Sequence, residues 1–61
     1  MSPVTEEQRR EMQALCVRAA EQEARRQTAI AHSDAQAVQE CEAELARLWA
    51  RYCDLERQAA A

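Results

Sequence analysis

Residues 38–59, VQECEAELARLWARYCDLERQA, decide how this chain folds. Within them Val38, Cys41, Leu45, Leu48, Tyr52, Leu55 and Ala59 recur at alternating steps of three and four. On a helix that spacing gathers the apolar side chains along one side and presents them as a seam to another helix. A seam needs cover, so the stretch predicts an element of a helical assembly. Fully burying one Leu or Tyr of the stripe is worth roughly 1.5–3 kcal/mol, and the stripe as a whole demands a partner surface.

The rest of the sequence agrees with an all-α chain. There is no Gly, the single Pro is Pro3, and Ala, Glu, Gln, Arg and Leu dominate. These residues lose little on entering a helix. Without Gly, the tight turns of sandwiches and barrels and the loops that cradle phosphate lack residues suited to positive φ. With 61 residues the chain forms one small domain, and a chain of this size buries only about 60% of its unfolded surface. Small scaffolds make up the deficit with disulfides, metals or oligomerisation.

Charge narrows the function classes. Residues 1–31 carry five Arg and five Glu, whereas residues 32–61 carry three Arg against six acids, giving the net charge of −3. Interspersed charges with an acidic balance leave no broad electrostatic footprint for nucleic acid. No apolar run approaches the roughly 20 residues of a membrane span. No signal peptide precedes the polar start, so a cytoplasmic location is expected. The absence of Lys, Asn and Phe beside abundant Arg and Ala fits a GC-rich bacterial or phage genome.

Two helix starts punctuate the chain. Thr5-Glu6-Glu7-Gln8 has the capping-box pattern, with two acids at the positive end of the helix dipole. Ser33-Asp34-Ala35-Gln36 repeats the pattern, and His32 before it suits the negative end of a preceding helix. The expectation is an antiparallel hairpin of helices at about 5–31 and 34–59, dimerising into a four-helix bundle. The alternative is one long coiled-coil helix, its register extended backwards through Ala31, Gln27, Ala24, Ala20 and Val17. No Gly marks the turn, which favours that alternative. The larger apolar residues of the first half, Met12, Leu15, Cys16 and Ala19, follow a different phase, which favours the hairpin. Ile30 is the anchor expected to close the first strip after the polar Gln22, Glu23 and Arg26.

Chemistry finds little purchase. Cys16, Cys41 and Cys53 are separated by 25 and 12 residues, unlike the close Cys pairs of zinc sites. An odd number of cysteines closes no disulfide framework, and they read as small buried hydrophobes. In a hairpin Cys16 and Cys53 approach each other at the open end, which makes them the pair to consider for a thiol switch or metal sensor. Glu40, Glu42 and Glu44 are spread around a helix, a solvated surface with Glu44 near Arg47. No nucleophile, base and orienting group converge, so no catalysis, cofactor or small-molecule substrate is expected.

The expected interface is Met12, Leu15, Cys16, Ala19, Ile30, Val38, Cys41, Leu45, Leu48, Trp49, Tyr52 and Leu55. Trp49 and Tyr52 are the only aromatics, and with Arg51 beside them they are the residue types favoured as binding anchors. The partner is a second copy or another helical protein, and the role is that of an adaptor, chaperone or regulator. The length, the hairpin plan, Cys41-Glu42 and Leu48-Trp49…Cys53 resemble the Rop family of plasmid copy-number regulators. That family implies a helical hairpin that dimerises and binds RNA hairpins. RNA contact here would fall to Arg10, Arg18 and Arg25 on the first helix, which has neither the Lys nor the Phe of the family's pattern.

Overall fold

A computed structural model describes residues 4–60. The chain forms two helices, α1 (Glu6–Ala31) and α2 (Ala35–Ala60), packed side by side and antiparallel. The fold is the expected hairpin, with helix bounds one residue later at three of the four ends.

α1 begins where the capping box predicts. The Gln8 N–H donates to Thr5 Oγ1 at 3.0 Å, and the Thr5 N–H donates to Gln8 Oε1 at 3.0 Å. Thr5 is extended, with φ −71° and ψ 160°, so its hydroxyl folds back over the first turn. Two N–H groups that the helix itself leaves without partners are thereby satisfied.

The turn corrects the sequence reading. Ser33 is not the cap of α2 but the residue that ends α1. It takes φ 55°, the left-handed conformation usually given to Gly. The Asp34 N–H reaches back to the Ala29 carbonyl at 2.9 Å, and the Ser33 N–H reaches Ile30 at 3.0 Å. This is the Schellman arrangement, built on Ser in place of Gly. Because Ser33 completes α1, Asp34 inherits the capping role: its carboxylate accepts from the Ala37 N–H at 3.1 Å. Gln36, expected to close a box on Ser33, instead donates to Glu40 at 3.3 Å.

The helices meet along two heptad rows each. With rows a and d turned inward, α2 places Val38, Leu45, Tyr52 and Ala59 at a, and Cys41, Leu48 and Leu55 at d. α1 places Met12, Ala19 and Arg26 at a, and Gln8, Leu15, Gln22 and Ala29 at d. Leu15, Ala19, Leu48 and Leu55 form the central core, flanked by partly buried Met12, Leu45 and Tyr52. Cys41 and Ala29 are buried further towards the turn. Ala29 therefore takes the inward place expected of Ile30, which stands one residue further round the helix and is 48% exposed. Cys16 is displaced from the intrachain core in the same way and is exposed.

Candidate interaction interface

The four rows a, d, e and g differ in burial, and the difference is systematic. Every apolar residue at d is buried: Leu15, Ala29, Cys41, Leu48 and Leu55. At a, Met12, Val38, Leu45, Tyr52 and Ala59 are only half-buried, and small Ala19 alone is fully covered. The neighbouring e row, which holds Arg9, Cys16, Glu23 and Ile30 on α1 and Glu42, Trp49 and Glu56 on α2, is exposed throughout. The g row lies on the other flank, and Glu11, Ala37 and Glu44 there are partly covered by the facing helix. The hairpin thus buries its d side against itself and leaves its a/e side half-open.

The two flanks have opposite character. On the g side Glu11 and Arg51 make a bidentate ion pair at 2.7 and 3.1 Å. The Arg51 guanidinium holds the Glu11 carboxyl below its ordinary value, and Glu11 in turn raises Arg51. Arg18 and Arg25 lie on this flank and form no ion pair among the described residues. Arg10 pairs with Glu6 at 3.7 Å. These are the three arginines suggested for RNA, and the fold sets only Arg18 and Arg25 together as free cations.

On the a/e side apolar surface is gathered. Trp49, 45% exposed, rests edge-on against Tyr52 with ring centroids 5.6 Å apart. Met12, Cys16 and Tyr52 line a shallow groove with Val4, Arg9 and Gln13. Towards the turn Ala29, Ile30 and Val38 line a second groove with Glu42. Between the grooves a charged belt crosses the helices: Arg26 bonds Glu23 at 3.0 Å and approaches Glu42 at 3.7 Å. Gln27 also donates to Glu23, at 3.1 Å. No family model, curated protein or solved structure matches the chain.

Of the residues expected at the interface, Leu15, Ala19, Cys41, Leu48 and Leu55 are consumed by the intrachain core. Met12, Val38, Leu45 and Tyr52 are shared between core and surface, and Cys16, Ile30 and Trp49 are free on the a/e side. Arg26, by hydropathy an interruption of the first strip, is a half-buried member of the a row, tied to both helices. Continuing the three-and-four step from Met12 through Leu15, Ala19, Gln22 and Arg26 to Ala29 would have found it. Cys16 and Cys53 are both free and exposed. Cys16 lines the groove with Met12 and Tyr52, whereas Cys53 does not. Among the described residues no His, Cys, Asp and Glu cluster in a way that could hold a metal ion, and no helix is long and apolar enough to cross a membrane.

Proposed function

We propose that this chain is a non-enzymatic protein–protein interaction module, an adaptor, chaperone or regulator of the cytoplasm, that acts through the a/e face of its hairpin. The observation that carries this reading is the half-buried a row. A side chain such as Leu45 or Tyr52 at an inward heptad position has one helix beside it where a bundle supplies two. A helical surface laid on the a/e face covers these side chains and Trp49 together, and completion by a second hairpin gives a four-helix bundle. Large apolar patches on a small domain mark interaction sites, and Trp and Tyr at its centre are the anchors such sites favour.

The test joins two measurements on the full chain. Sedimentation equilibrium at micromolar concentration, with reductant, reports self-association. Affinity capture from bacterial lysate, with Trp49→Glu as the control bait, reports another protein held by this face. Association in either measurement that Trp49→Glu abolishes supports the module. A monomer that captures nothing Trp49→Glu would release refutes it.

A further inference from the structure

Resting on that reading, we infer that the occupant of the a/e face is a second copy of this chain, laid on it end for end. Its two-fold axis passes beside Cys16 and Trp49.

The first support is area. The chain exposes 4621 Å², whereas a compact monomer of its mass, 6.9 kDa, exposes about 4,000 Å². The excess of roughly 600 Å² reflects a hairpin only one layer thick. Its long face, 46 Å in extent and two helix diameters of about 10 Å wide, measures roughly 900 Å². A standard interface buries about 800 Å² per partner, so one further hairpin is enough to cover this face.

The second support is a pattern of charge that complements itself. On α1 the e row runs Arg9, Cys16, Glu23 at intervals of seven, positive, neutral, negative, and continues to Ile30 beside the turn. Arg9 forms no ion pair among the described residues. Reversing α1 on itself about Cys16 sets Arg9 over Glu23 of the second copy, and the two-fold repeats the contact. A closed dimer requires such a self-complementary patch. The same rotation also acts on α2. The pairs Glu11–Arg51 and Arg26–Glu42 bracket the register of the hairpin, and midway between the registers they imply Trp49 stands near the level of Cys16. Reversal about this level brings the two Trp49 rings together at the centre of the interface. It also brings Glu42 opposite Glu56 of the second copy, a repulsion softened only in part by Arg26, which lies 3.7 Å from Glu42 and 3.0 Å from Glu23. The opposite flank offers no such surface, being occupied by Glu11, Arg18, Arg25, Glu44 and Arg51.

Sedimentation equilibrium should find the full chain dimeric at micromolar concentration. Trp49→Glu should weaken the dimer by roughly 100-fold or more, the loss typical of a central aromatic anchor. Its helicity by circular dichroism should persist, because Trp49 is only partly covered within the chain. Arg18→Glu, on the other flank, should leave the mass unchanged. For the axis, Cys53→Ser leaves Cys16 as the accessible thiol, Cys41 being buried. A short bis-maleimide should then join two chains through Cys16, and Cys16→Ser should abolish the link. A dimer broken by Arg18→Glu but not by Trp49→Glu overturns the choice of face. A dimer that does not link through Cys16 overturns the end-for-end arrangement. A monomeric wild type overturns the second copy. If that monomer still captures a protein that Trp49→Glu releases, the interaction module stands without it.

Discussion

Shortening Leu48 to Ala strikes the middle of the d row. Leu48 is 6% exposed and packs with Leu15, Ala19 and Leu55, so nearly all the removed carbon atoms are withdrawn from protein contact. Leu→Ala changes in cores cost about 2–5 kcal/mol, and the cost rises with the cavity left behind. A two-helix layer is open along its sides, which lets neighbours and water move in. The expected loss is therefore at the low end, about 2–3 kcal/mol. For a chain of this length, total stability of about 0.05–0.15 kcal/mol per residue amounts to roughly 3–9 kcal/mol, so the variant forfeits a large share of it. Urea denaturation followed by circular dichroism, at one fixed protein concentration because association contributes to stability, measures the loss. The thermal midpoint should fall by about 10–20 °C. A loss below about 1 kcal/mol with an unchanged urea slope would refute the assignment of the d row as the core.

Thr5→Ala removes one member of the capping box and should cost about 1 kcal/mol, visible in the same urea titration and as faster amide exchange at Gln8. Ser33→Gly should stabilise the hairpin by roughly 0.5 kcal/mol, because relief of the left-handed penalty exceeds the extra chain entropy of Gly; a lower urea midpoint would contradict the turn geometry. Glu11→Gln should flatten the acid limb of the stability profile. A carboxyl held below its ordinary value of 4.5 by Arg51 stabilises the fold above that pH and ceases to do so as pH falls through the folded value. Wild type and Glu11→Gln should therefore differ near neutrality and converge in strong acid, as read by urea midpoints from pH 7 to pH 3.

The second helix was legible because its pattern is redundant. Seven apolar residues in one phase specify a helix and its inward side without help from tertiary context. The first helix was half-legible. Its three-and-four step persists from Gln8 to Ala29, but Gln22 and Arg26 occupy it, and hydropathy alone drew the strip aside to Cys16 and Ile30. What fixes the phase is the facing helix: Glu42 receives Arg26, and Ala29 is small enough to let α1 and α2 close at the turn. The turn was located correctly and its chemistry was not. Ser33 carries the signature of a cap, and only the backbone distinguishes the end of one helix from the start of the next. The division into a covered d row and an open a row depends on how two helices roll against each other, which neither helix encodes alone.

The Schellman turn also governs topology. Of the three residues between α1 and α2, Ser33 alone holds a left-handed backbone, at a cost of about 1–2 kcal/mol to a residue with a Cβ. Returning His32, Ser33 and the cap Asp34 to helical dihedrals would fuse α1 and α2 into a single rod of about 80 Å. The seam on each half of the rod would then have to be filled by another chain, as in a domain-swapped pair. Hairpin and rod thus differ at one short hinge, and because the two halves follow different phases their apolar strips would face different sides of the rod, so the turn around residue 33 is where folding back is chosen over reaching across.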